Sequence, residues 1–226
     1  NLASVGLESN YKNIIGRLWF QAGSMLHIVQ ELDGTVLHGR NTGTGNLKFI
    51  REAAAGYHFN KWYGINVEMG IFMSYIGLES YVTQENWSYQ RSMVCEFTPF
   101  YFQGARVQLN PHRKFQTQLW LLNGWQTYNT WNEGIGFGNS NYFRPTENIQ
   151  LVANFYYGKD TKTSDLIRFH QDNSIVVRYY KNKESKGISM AAASFNSHYG
   201  FQMNDSITPH DQYMTGKSMS NRIWFY

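Results

Sequence analysis

The chain has 226 residues, a formal net charge of +4 and more aromatic (17%) than charged (16%) residues, against a usual charged share of about 25%. Its Lys and Arg are scattered rather than clustered, which argues against a nucleic-acid surface, and the single cysteine, Cys95, excludes an intrachain disulfide framework. No stretch approaches the about 18 apolar residues of a spanning helix, whereas a closed β-barrel tolerates the mean hydropathy of -0.49 because half of its residues can face water.

Period-two alternation predicts strands along the chain. Residues 2–7 form a first strand. In residues 13–22, Ile14, Leu18, Phe20 and Ala22 oppose Asn13, Arg17 and Gln21. Residues 52–59 repeat the pattern, and residues 64–74 show it most clearly. There Ile65, Val67, Met69, Ile71 and Met73 oppose Asn66, Glu68, Gly70 and Ser74, with Phe72 out of pattern. Residues 91–109 read as one long strand bent at Pro99. In residues 115–123, Phe115, Leu119 and Leu121 oppose Gln116, Gln118 and Trp120; in residues 148–158, Ile149, Leu151, Ala153, Phe155 and Tyr157 oppose Gln150, Asn154 and Gly158. Weaker strands follow at 174–180 and 218–225. The clear ones have the length, about 9 to 11 residues, that a tilted strand needs to cross a bilayer.

The links alternate between short ones (8–13, 60–63, 110–114, 144–147, 181–186) and long ones (23–46, 75–90, 124–135, 159–166, 200–212). Pro111 and Pro145 suit tight turns in the short set. Short periplasmic turns opposite long extracellular loops are the order of an outer-membrane barrel. The expected fold is all-β, a transmembrane antiparallel up-and-down β-barrel that occupies residues 1–226 as one domain. About eleven strands are visible, and an odd count leaves the two ends on opposite sides of the membrane. Because single-chain bacterial barrels have even numbers, the complete protein is expected to have at least twelve strands, with sequence missing at one or both ends.

Parity then assigns a water-facing set that would line a pore: Arg17, Gln21, Glu52, Asn66, Glu68, Glu96, Arg106, Gln108, Gln116, Gln118, Gln150, Asn154, Arg178 and Arg222. Opposed charges on that face, with Glu8, Arg168 and Asp172 added, predict weak ion selectivity. The long link at 75–90 combines Glu79, Tyr81, Glu85 and Trp87 and is a candidate constriction. Trp62, Tyr63, Tyr142 and Tyr179 would form an aromatic girdle at headgroup level. The seven histidines sit singly in sequence with no ligand spacing of a zinc site, so they read as solvated or lumen-facing, and no metal or other cofactor is expected. His210 and Asp211 could approach Asp172, yet nothing in their spacing specifies catalysis, and the chain reads as no enzyme. The run Asn41 to Asn46 lacks the Lys-Ser or Lys-Thr of a phosphate loop, and Asn86 and Asn204 read as loop residues.

Several runs resemble the OmpL-like β-barrel porins of Gram-negative outer membranes. These are Ile76-Gly77-Leu78-Glu79-Ser80, Glu85-Asn86-Trp87, Arg91-Ser92, Pro99-Phe100-Tyr101 with Gly104-Ala105, and Leu122-Asn123-Gly124-Trp125-Gln126. Arg168-Phe169, Asp172-Asn173-Ser174 and Ser185-Lys186-Gly187 are similar too. The resemblance implies a longer chain and porin activity, and supplies no catalytic residues. The expected function is an outer-membrane porin for passive diffusion of small hydrophilic solutes. Its partners are outer-membrane lipid and those solutes, with a homo-oligomer or an outer-membrane protein complex compatible with the same features. The alternative is a barrel scaffold or receptor subunit without an open pore.

Overall fold

The computed structural model describes residues 2–31, 47–128, 134–159, 167–181, 190–203 and 221–225. Among the described residues eleven strands lie in one sheet in sequence order, every neighbour antiparallel, with β1 and β11 at its edges. They are β1 (Ala3–Tyr11), β2 (Ile14–Ala22), β3 (Ile50–Phe59), β4 (Ile65–Met73), β5 (Tyr101–His112), β6 (Phe115–Leu122), β7 (Gly136–Thr146), β8 (Ile149–Lys159), β9 (Ile167–Lys181), β10 (Met190–Met203) and β11 (Asn221–Phe225). Among the described residues two short α-helices interrupt the order, α1 (Met25–Glu31) after β2 and α2 (Met93–Glu96) between β4 and β5, with a 3-10 turn at Thr83–Glu85 before α2.

The hairpin turns are tighter than the sequence suggests. Tyr11 pairs with Ile14, His112 with Phe115 and Thr146 with Ile149, leaving two residues in each turn. Pro111 and Pro145 therefore sit inside β5 and β7, not in the turns. Both lie where the register slips, between Leu109 and His112 and between Phe143 and Thr146, because a residue without an N–H fits only where the ladder is already broken.

A larger correction concerns residues 91–109. The strand begins only at Tyr101. Ser92 caps α2 by accepting a hydrogen bond from the Cys95 backbone N–H, and residues 74–100 make one long connection. Pro99 follows the helix as a stop rather than bending a strand.

Along most of its length one side of the sheet is bare and the other is covered; at the end of the long connections Ile71 and Tyr101, which by register share the bare side, are buried as well. Val5, Leu7, Leu18, Phe20, Val67, Met69, Leu119, Leu121, Phe155 and Phe195 are exposed on the bare side, Leu7 at 80% and Met69 at 69%. In a water-soluble protein such a wall would be a large destabilising patch; against hydrocarbon it is the solvated surface. A polar row crosses it, where Thr117 donates to Asn141 Oδ1 at 2.8 Å and Asn139 donates to Thr117 Oγ1 at 3.1 Å and to the Gln118 carbonyl at 2.9 Å. These groups answer one another within the wall. The covered side holds the connection 74–100, and the buried residues form two apolar clusters, the second of which also takes in Ile71 and Tyr101 from the other side of the sheet. One joins Phe72, Tyr75, Ile76, Phe102, Trp120, Leu122 and Tyr156, and the other joins α1 (Met25, Val29) to Tyr81, Val82, Cys95 and Phe100.

Candidate functional site: the covered face of the sheet

Alternation brings the polar residues of neighbouring strands onto the covered face at matched heights. Glu68 of β4 lies directly opposite Arg106 of β5 and Gly56 of β3. Its carboxylate, only 2% exposed, accepts from Arg17 at 2.5 Å and from Arg106, whose Nε lies 3.1 Å away and whose Nη2 also donates. Arg17 also reaches Glu52 at 3.5 Å. It spans from β2 across β3 to β4 because the intervening residue is small: a Cβ on Gly56 would stand 2.7 Å from Glu68 Cγ. The guanidinium of Arg106 rests between Phe72 and Trp120, 4.8 and 5.1 Å from their ring centres. Two glutamates and two arginines thus neutralise one another on β2 to β5.

Beside this network the connection 74–100 docks. The Tyr75 ring stacks on Trp120 and Phe102, at 4.9 and 5.1 Å, over Gly138, where a Cβ would come within 2.0 Å of its hydroxyl. Its hydroxyl donates to the Phe155 carbonyl at 2.9 Å, and Asn154 donates to the Tyr75 carbonyl at 2.9 Å. Asp172, fully buried on β9, accepts from the Gly77 N–H at 3.0 Å and from Asn154 at 3.2 Å; Ser140 completes the set by donating to Asn154 at 2.6 Å. Farther along the connection, Tyr81 donates to Gln21 at 2.5 Å and Glu85 pairs with Arg51. Burial holds the Tyr75 and Tyr81 phenols well above their ordinary range. Burial, with Glu79 and Glu96 nearby, pushes the Cys95 thiol up to about 12.

Twelve of the sequence-assigned residues lie on this face: Arg17, Gln21, Glu52, Asn66, Glu68, Arg106, Gln108, Gln116, Gln118, Gln150, Asn154 and Arg178. Glu96 does not. It belongs to α2 rather than to a strand, and it pairs with Arg91. Arg222 lies on β11, but its side chain is outside the described residues. Of the four loop residues, Glu79 accepts from the Ser92 N–H at 2.9 Å and from its hydroxyl, Glu85 is tied to Arg51, and Tyr81 is buried. Only Trp87, 64% exposed, presents a free ring. Trp62, Tyr63 and Tyr179 are exposed, whereas Tyr142 shares the face of Ser140 and leaves the girdle.

Two histidines are neither single nor solvated. His170 of β9 and His198 of β10 are both buried, with Nε2 and Nδ1 2.9 Å apart. Their separation of 28 residues carries no local signal, since only the β9–β10 register brings them together. Among the described residues no group of three His, Cys, Asp or Glu could hold a metal ion. Asn41 to Asn46, Asn204, His210 and Asp211 lie outside the described residues. Asn86 does lie in the connection, where its side chain accepts from the Ser80 N–H and donates to the Ser80 carbonyl, both at 2.8 Å.

No curated protein and no solved structure matches the chain. A protein-family model, that of beta-barrel porin-2, OmpL-like, matches residues 1–225, nearly the whole length. With an all-antiparallel up-and-down sheet, an apolar bare wall and a polar covered face, the chain belongs to this OmpL-like β-barrel porin family.

Proposed function

We propose that the protein is a bacterial outer-membrane porin, a passive channel for small hydrophilic solutes, with the covered face as its lumen wall and the connection 74–100 as its constriction. The observation that carries this reading is the docking of that connection on the polar side of the sheet, through Tyr75, Gly77, Tyr81 and Glu85, while most of the apolar side is left bare. A barrel shell placed in lipid needs an apolar exterior, and a water-filled interior needs polar groups whose charges are compensated. Passage needs no covalent chemistry. The wall has only to be wet, and the loop sets the width.

The lumen reading requires current. Purified protein in planar bilayers should give a stable open-channel conductance, and deleting residues 81–87 should raise it by removing the tie between Tyr81 and Gln21 and that between Glu85 and Arg51. A folded barrel without current would refute the channel and favour the scaffold or receptor reading. Unchanged conductance in the folded deletion variant would refute the constriction.

A further inference from the structure

The ion pairs on β2 to β5 leave the opposite half of the covered face with a charge of its own. Where β7 to β10 reach the short turns there is a cavity of about 760 Å³. Its polar wall carries Arg113, Lys114, Arg144 and Arg178, and among the described residues the only acidic one lining it is Glu147. None of the four cations has a carboxylate partner among the described residues. Arg178 donates to Asn148 Oδ1 at 3.0 Å and to the Glu147 carbonyl at 2.8 Å, Arg144 donates to Gln150 at 2.8 Å, and Lys114 donates to the Pro145 carbonyl at 2.7 Å. The Arg113 guanidinium lies 5.6 Å from the centre of the Tyr63 ring. Neutral acceptors orient these groups without cancelling their charge.

Beside the neutral polar Thr146, Asn148 and Gln150, the wall has an apolar part formed by Ile149, Val176, Met190 and Ala192, and the exposed indole of Trp87 enters from the docked connection. A cavity with a cationic edge, an apolar floor and a free aromatic face suits one ligand chemistry: an organic anion with a flat apolar body and a carboxylate head. We infer that this cavity is a binding site for small aromatic carboxylates and makes the short-turn mouth of the channel prefer anions. The weak selectivity expected from counting charges fails to follow, because the compensating glutamates lie elsewhere on the wall. The inference rests on the covered face being water-filled, as in the porin reading.

The probe is 4-fluorobenzoate, titrated into detergent-solubilised, heat-modifiable protein and followed by fluorine NMR, with neutral 4-fluorobenzamide as its control. The benzoate should bind saturably, at least tenfold tighter than the amide, and less tightly in high salt. The double variant Arg144→Gln/Arg178→Gln should weaken benzoate at least tenfold and leave the amide unchanged, while Trp87→Ala should weaken both. Should the double variant fail to fold, Arg113→Gln, in an exposed turn, should still weaken benzoate about threefold, the effect of a rim charge. Equal binding of acid and amide, or no saturable binding by folded protein, would overturn the site. Binding without any bilayer current would refute the channel and leave the site standing; current without binding would do the reverse.

Discussion

Glu68 is the acceptor on which two arginines converge, and its removal is the sharpest test of the covered face. Glu68→Ala would leave Arg106, 11% exposed, with no anionic partner, while Arg17, 28% exposed, keeps Glu52 at 3.5 Å. Breaking a buried pair from one side costs about 3–5 kcal/mol, because a charge stays behind without its partner. Here the figure is lowered by the partial exposure of Arg17 and by the rings of Phe72 and Trp120, which hold the Arg106 charge. A loss of about 2–4 kcal/mol is therefore expected. Glu68→Gln keeps the shape and one acceptor oxygen, and should cost less. The assay is urea unfolding of the barrel in short-chain phosphatidylcholine vesicles, read by tryptophan fluorescence. Adding Arg106→Met to Glu68→Ala should recover part of the loss, with a coupling of about 2 kcal/mol in the double-mutant cycle. A single-variant cost below about 1 kcal/mol, together with a coupling inside the about 0.5 kcal/mol scatter of independent sites, would refute the network.

Three other perturbations address the docked connection. A methyl at Gly138 would overlap the Tyr75 hydroxyl, so Gly138→Ala should displace that ring and raise single-channel conductance without loss of heat-modifiable migration; unchanged conductance would mean that the Tyr75 anchor does not narrow the pore. Cys95 is buried, and its thiol is pushed from an ordinary 9.0 up to about 12. Its thiolate fraction at pH 8 is then lower by roughly three orders of magnitude, and maleimide labelling of folded protein should be slower by at least that factor than in urea; labelling at the free-thiol rate would place α2 in solvent. Burial raises the Tyr75 and Tyr81 phenols when folded, so their neutral forms contribute stability that is fully present below about pH 10, the ordinary phenol value, and lost as pH rises through the folded values. The urea midpoint should fall above pH 10, and fall less steeply in Tyr81→Phe. An identical slope in that variant would put the Tyr81 hydroxyl in water.

The wall of the barrel was legible in the sequence because a strand's side-chain period is two, so a single confident alternation fixes a whole face. Arg106 between Ala105 and Val107, and Glu68 between Val67 and Met69, could lie on only one side once their neighbours were given to the other. The reading failed where position depends on contacts outside the strand. Residues 91–100 contain enough extended-looking sequence to pass as a strand, and only Ser92 as a cap and Pro99 as a stop mark the helical turn between them. The pairing of His170 with His198 exists only through the β9–β10 register, which no spacing rule on one sequence reports.

The connection itself did leave a trace, in residues whose parity is that of the water side but whose chemistry is apolar. Phe72 broke the otherwise regular alternation of β4, and Phe102, Trp120, Leu122 and Tyr156 stand at covered-face positions of β5, β6 and β8. A lumen wall exposed to water throughout has no use for five large apolar side chains at neighbouring heights, since each would lose roughly 1.5–3 kcal/mol of burial. Together they mark a place where the lumen side is dry, so something must cover it. Tyr75 and Ile76, the first residues of the connection after Ser74, are what cover it, and Asn154 and Asp172 hold the backbone of the same turn. Misplaced apolar residues on the polar parity of a barrel strand therefore locate an inward loop in sequence.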